Sequence, residues 1–109
     1  MIATTTQDIP GYQIIKTLGI ARGNTVRARH IGNDILASFR NIVGGEITEY
    51  TKLLAEAREQ SMDRMIANAE QLNADAIVGV RFTTSTIAQA SAEILVYGTA
   101  VRLAPKSNG

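Results

Sequence analysis

Two segments near the C-terminus read as strands with apolar side chains on both faces, and this pattern constrains the fold most. They are residues 76–82, running on to residue 84, and residues 92–103. Successive strand residues point to opposite faces. The first segment therefore places Val78, Val80 and Phe82 against Ile77 and Gly79, and the second places Leu95, Tyr97, Val101 and Leu103 against Ile94, Val96 and Ala100. Both faces of such a sheet need cover. A helix can cover one face and a second copy of the chain the other, so the sequence predicts a homo-oligomer.

A long amphipathic helix is predicted over residues 48–73. At 100° per residue, its apolar side chains share one broad face and its charged side chains share the opposite one. The apolar face consists of Tyr50, Leu53, Leu54, Ala57, Met62, Met65, Ala69 and Leu72, and the charged face of Lys52, Glu56, Glu59, Asp63 and Glu70. Asn73 is predicted to end the helix in the left-handed conformation.

The remaining segments complete an α+β domain. Residues 12–28 are rich in Ile, Thr and Val, and a bend or bulge predicted at residues 22–24 makes them either one bent strand or two short ones. Helical spacing predicts a shorter helix over residues 30–44. We therefore expect a single domain over residues 1–109, with a small antiparallel or mixed sheet packed on one long helix plus a shorter helix. Pro105 and the residues after it read as a frayed polar tail, within residues 104–109.

Composition excludes several classes of protein. The absence of cysteine excludes disulfides, thiolate metal sites and cysteine nucleophiles. No apolar run approaches the ~20 residues of a membrane-spanning helix, and the N-terminus has no signal-peptide pattern, so we expect a cytoplasmic protein without a membrane partner. Net charge is +1, and the one basic cluster without nearby acids is Arg22, Arg27 and Arg29. Solvated side chains explain this cluster better than phosphate contacts, so no nucleic-acid partner is expected.

Arg58 is the most unusual charged residue, because the helical projection places it towards the apolar face. Its stem can pack while the guanidinium reaches solvent. Alternatively, it forms a structural ion pair with Glu46 or Glu93, within or between subunits, or it binds a ligand. Together with Arg40, these residues are the candidates for a ligand site or an interface.

Metal ligands and catalytic motifs are sparse. His30 and Asp34 have i,i+4 spacing, and Met62 and Met65 have i,i+3 spacing, so either pair could contribute to a metal site. Core packing of the methionines and a surface hydrogen bond at His30 are the favoured alternatives. No Gly-x-Ser-x-Gly or His-Glu-x-x-His motif is present, and the two glycines at 44–45 lack a P-loop ending. No catalytic residue is predicted, and a non-enzyme is favoured over an enzyme.

Four segments together resemble the YbjQ family, small bacterial proteins of unknown function that carry a heavy-metal-binding label. They are Arg40-Asn-Ile-Val-Gly-Gly-Glu46, the helix from Tyr50 to Ala69, Leu72-Asn-Ala-Asp-Ala-Ile-Val-Gly-Val80, and Tyr97-Gly-Thr-Ala-Val101. The resemblance implies a dodecin-like subunit that assembles into a ring of five, with no established activity and a metal ion as the one cofactor the label suggests. The family's frequent Leu-Gly-Ala-Asn is here Leu-Asn-Ala-Asp, and Asn73 suits the position of that glycine.

These observations favour a non-enzymatic, homo-oligomeric protein that binds a small ligand or a partner protein at a subunit interface. The alternatives are a heavy-metal-binding protein and an enzyme with an intersubunit site.

Overall fold

The structure, a computed structural model, describes residues 1–28, 48–88 and 91–107, which form a mixed four-stranded sheet and one helix. The elements are β1 (Ile2–Ala3), β2 (Tyr12–Ala28), α1 (Thr48–Gln71), β3 (Ala76–Ala88) and β4 (Ser91–Pro105). The strand order is β1-β3-β4-β2, with β1 parallel to β3 and the other pairs antiparallel. This confirms the α+β class and the mixed sheet. The shorter helix predicted at residues 30–44 lies outside the described residues.

The strand β2 has the predicted bounds but not the predicted bend. Its pairing with β4 continues without a shift from Gly19 to Ala28, and the irregularities lie earlier, between Ile14 and Gly19. Gly23 has another role: a Cβ atom there would collide with the carbonyl oxygen of Ser61 and the backbone nitrogen of Met65. The glycine therefore allows α1 to lie directly against the strand.

A bulge in β3 changes which side chains share a face. Gly79 has a φ of 63°, and the pairing with β4 shifts between Val78 and Arg81. As a result Val80 joins Ile77 in the core beneath α1, whereas Val78 packs on the opposite side of the sheet. The prediction that Val78 and Val80 share a face was wrong, because the extra residue of a bulge reverses the alternation. Both faces of the sheet are nevertheless apolar.

The end of α1 confirms the predicted left-handed residue. Asn73 has a φ of 61°, its N–H donates to the carbonyl of Glu70 (3.0 Å), and the N–H of Ala74 donates to the carbonyl of Ala69 (3.1 Å). This pair of hydrogen bonds defines a Schellman motif, which satisfies carbonyls that the helix leaves without partners. It also directs the chain into β3.

The buried face of α1 is close to the predicted one, with one polar addition. Ala57, Met65 and Ala69 are fully buried, and so is Ser61. The Ser61 hydroxyl lies 2.8 Å from the hydroxyl of Thr25 and 2.8 Å from the carbonyl oxygen of Ala57. A buried hydroxyl requires such partners. The five side chains predicted to face solvent are all exposed: Lys52, Glu56, Glu59, Asp63 and Glu70.

The chain ends pack on the sheet more closely than predicted. Pro105 belongs to β4 and pairs with Tyr12, and the N–H of Lys106 donates to the carbonyl of Gly11 (3.0 Å), so the expected frayed tail begins later than Pro105. The N-terminal segment, for which no structure was predicted, follows the edge of β3. Its Ile9 is 8% exposed and covers one end of the sheet face opposite α1.

Candidate subunit interface

One half of the sheet face opposite α1 has no cover in the described part of the chain. At the other half, Ile9 packs on Ala76, Val78 and Val101. Farther along the strands, Ile20, Val26 and Tyr97 are 69%, 49% and 40% exposed on this side. We call this surface the distal face; it comprises the side chains that point away from α1 on β2 from Ile20 to Val26, on β4 from Glu93 to Tyr97, and on β3 from Arg81 to Ser85.

Within the described residues, α1 covers one face of the sheet only. A helix of 24 residues is about 36 Å long, whereas a strand of 17 residues such as β2 extends about 56 Å. The helix lies on one face, over β2 and β4, where Ala21, Thr25 and Val96 are buried beneath it. The helix leaves the opposite face uncovered.

Charges on the distal face are separated along the strands. The register places Tyr97 directly opposite Arg22 on one side and Arg81 on the other. The guanidinium of Arg81 is held in place, because its Nη1 donates to the carbonyl oxygens of Thr5 (3.0 Å) and Val80 (2.8 Å). Opposite residues of paired strands are close neighbours, so Tyr97 lies between two arginine positions in this row. Sequence reasoning missed this row, because nothing in the local pattern shows which residues of distant strands are paired.

Glu93 provides the negative charge of the same face. It lies four residues before Tyr97 on β4, about 13 Å along the strand. The Nδ2 of Asn24 donates to its Oε2 at 3.3 Å. One end of the distal face is therefore cationic and the other end acidic.

The predicted partners Arg58 and Glu93 lie on opposite sides of the sheet. Arg58 is exposed on α1, and Glu93 is half-buried on the distal face. Because the sheet separates them within one subunit, an ion pair between them requires two copies of the chain. Arg40 and Glu46 lie outside the described residues.

The methionine pair belongs to the core. Met65 is fully buried in the cluster between α1 and the sheet, and Met62 is partly buried against the same cluster. His30 and Asp34 lie outside the described residues. Within the described ranges, no three His, Cys, Asp or Glu residues are grouped so that they could hold a metal ion. No helix there is long and apolar enough to cross a membrane.

An open depression of about 620 Å³ lies where the N-terminal segment meets the first part of β2. Its lining includes the carboxylate of Asp8, the ammonium of Lys106 and the ring of Tyr12. These residues were not among the sequence-based candidates. They are all exposed to solvent, so the depression has the character of a surface groove.

A comparison with protein families matches residues 1–104 to the YbjQ family model, described as "Putative heavy-metal-binding". Similar proteins, each named "UPF0145 protein", include one from Pseudothermotoga lettingae, which is 55% identical over 94% of this chain and 97% of its own length. Another, from Methanosarcina acetivorans, is 54% identical over 94% of this chain and 97% of its own length. A third, from Archaeoglobus fulgidus, is 55% identical over 94% and 95%.

Among solved structures, the chain resembles a protein of unknown function from Pediococcus pentosaceus that belongs to the DUF74 family. The TM-score is 0.59 with 18% sequence identity, over 95% of this chain and 98% of that one. At this identity the similarity supports the fold alone.

Proposed function

The chain belongs to the YbjQ family, and on this basis we propose that it is one subunit of a non-enzymatic homo-oligomer that binds a small ligand or a partner protein where subunits meet. The observation that carries this proposal is the distal face, on which Ile20, Val26 and Tyr97 are exposed. A second copy is the simplest cover for such a surface. The family resemblance implies a ring of five dodecin-like subunits.

The energetics favour an extensive contact. Full burial of a large apolar side chain stabilises by about 1.5–3 kcal/mol, so covering the 69%, 49% and 40% exposed fractions of Ile20, Val26 and Tyr97 contributes roughly 2–5 kcal/mol per subunit. Association costs an estimated ~4–15 kcal/mol in lost translational and rotational freedom. When two copies cover each other in this way, their combined contribution is about 5–9 kcal/mol, which lies within the range of this cost. A stable assembly is therefore favoured if the contact includes more of the distal face, or if each subunit makes two contacts, as in a closed ring.

Electrostatics supports a copy of the same chain as the partner. The distal face carries Arg22 and Arg81 around Tyr97 and Glu93 about 13 Å away on the same strand. A neighbouring copy can thus place its acidic end against the cationic row, and complementary charges of this kind fix the relative orientation of two surfaces. The net charge of +1 opposes self-association only weakly.

Heavy-metal binding and an intersubunit enzyme site are the alternative functions. The methionine pair is engaged in core packing, which leaves metal binding to residues outside the described ranges or to ligands that a ring brings together around its axis. Native mass spectrometry of protein purified without a histidine tag distinguishes metal binding from the other two functions. Added mass that matches metal ions would favour the metal-binding function.

The decisive variant is Tyr97→Glu, which places a charge at the centre of the distal face. We expect the wild-type protein to have a mass that is a multiple of 11.7 kDa, and the variant to shift towards the monomer. Tyr12→Glu is the matched control, because Tyr12 is 43% exposed, close to the 40% of Tyr97, but lies outside the distal face. A monomeric wild-type protein would refute the proposal, as would equal effects of the two substitutions.

A further inference from the structure

A tight turn joins the N-terminal segment to β2 and forms one wall of the depression described above. The N–H of Tyr12 donates to the carbonyl of Ile9 (3.1 Å), and Gly11 has a φ of 85°. Proline at the second position and a glycine with positive φ at the third are characteristic of a type II turn, here Ile9-Pro10-Gly11-Tyr12. Both residues suit the backbone of this turn without strain. The turn therefore brings Asp8, which precedes it, close to the start of β2.

The turn is anchored from both sides. Ile9 is 8% exposed and packs in the hydrophobic cluster on the sheet face opposite α1. The Oγ1 of Thr6 donates to the carbonyl oxygen of Asp8 (2.7 Å), and the N–H of Lys106 donates to the carbonyl of Gly11 (3.0 Å). The backbone that carries the side chains of Asp8 and Lys106 is thus held in place before any ligand arrives. Such preorganisation lowers the entropic cost of binding.

The base of the depression is apolar and includes an aromatic ring. Tyr12 and Ile14 are two residues apart on β2 and therefore point to the same face of the sheet. Ile14 packs against the cluster that contains Ile9, and Tyr12 is 43% exposed. The volume of about 620 Å³ lies within the range of about 300–1,000 Å³ that is usual for small-molecule sites. An exposed ring beside aliphatic side chains favours a ligand with an aromatic body.

Two opposite charges line the same depression. They belong to Asp8 and Lys106. Among the described residues the salt bridge joins Arg102 to Asp75, so Asp8 and Lys106 do not pair with each other there. The carboxylate can accept hydrogen bonds from a ligand ammonium group, and the lysine ammonium can donate to a ligand carboxylate. The flexible stem of the lysine allows its charge to follow the position of that carboxylate.

We propose that this depression binds a free α-amino acid with an aromatic side chain. The ammonium group of the ligand lies at Asp8, its carboxylate at Lys106, and its ring against Tyr12. All lining residues belong to one subunit, and the depression lies at the other end of the sheet from the distal face. The site therefore does not depend on the proposed homo-oligomer.

Ligand-observed NMR titration of the full-length protein with L-phenylalanine tests the site. Two analogues lack one charge each: phenylpropionate has no ammonium group, and phenethylamine has no carboxylate. We expect each analogue to bind about fivefold more weakly than L-phenylalanine, which is the contribution of one exposed ion pair. Absence of L-phenylalanine binding would overturn the proposal, and so would equal affinity for the three compounds.

Substitutions assign each charge of the ligand to one residue. Asp8→Asn should weaken binding of L-phenylalanine about fivefold and leave binding of phenylpropionate unchanged, because that analogue has no ammonium group to lose a partner. Lys106→Gln should likewise weaken L-phenylalanine and leave phenethylamine unchanged. Asp63→Asn is the matched control, since Asp63 is an exposed carboxylate on α1, and it should alter none of the affinities. An equal loss for all compounds in Asp8→Asn would contradict the assignment.

The mass of the wild-type assembly is measured separately and reports on the proposed homo-oligomer alone. A monomer that binds L-phenylalanine would refute the homo-oligomer and leave this site standing. An oligomer that does not bind L-phenylalanine would refute the site and leave the proposed function standing.

Discussion

Substituting Gly23 by alanine tests the close packing of α1 on β2. The added methyl group would meet the carbonyl oxygen of Ser61 and the backbone nitrogen of Met65, which belong to the helix backbone and cannot rotate away. Overpacking in a core costs about 1–3 kcal/mol and occasionally more. Because relief requires the whole helix to move, we expect a loss of about 3 kcal/mol in the free energy of unfolding. For a chain of 109 residues this lowers the Tm by roughly 12–24 °C.

Thermal unfolding followed by circular dichroism, at one protein concentration for all variants, measures this loss. Gly19→Ala is the informative comparison. Its φ of 118° strains any other residue, but nothing lies within 4 Å of the added carbon. Backbone strain alone costs about 1–3 kcal/mol. We therefore expect Gly19→Ala to lower the Tm by no more than Gly23→Ala does. If Gly23→Ala loses less than about 1 kcal/mol, the helix does not lie against the strand as described and the reasoning is refuted.

Substitutions at two further positions test the centre and the C-terminal end of α1. Ser61→Ala removes a fully buried hydroxyl and leaves the hydroxyl of Thr25, which is 3% exposed, without this hydrogen-bond partner. We expect the free energy of unfolding, measured by urea titration, to fall by about 1–3 kcal/mol. An unchanged value would show that the hydrogen bond does not stabilise the fold. Asn73→Gly should leave stability unchanged or raise it slightly, because glycine adopts a φ of 61° freely, whereas Asn73→Val should cost about 1–2 kcal/mol. Equal stability of these two variants would contradict the left-handed cap.

Much of the fold was predictable because its signals are local. The bounds of β2, the course of α1 and the left-handed Asn73 follow from side-chain periodicity and capping within a few residues. The extension of β3 to Ala88 was missed, because its last four residues, Ser-Thr-Ile-Ala, show no alternation of polarity. Arg58 was placed on the correct helix, yet its distance from Glu93 depends on which side of the sheet each one lies.

The sequence by itself determined the α+β class, the apolar character of both sheet faces and the family resemblance. Tertiary structure decided the rest. Glycine is required at position 23 because a helix about 40 residues away in the chain lies against it. The row of Arg22, Tyr97 and Arg81 results from the pairing of three strands. The bulge at Gly79 reverses the facing of the side chains that follow it. Local patterns describe how a segment folds against itself, whereas register and close packing arise from contacts between segments far apart in the chain, where one added residue moves every later side chain to the other face.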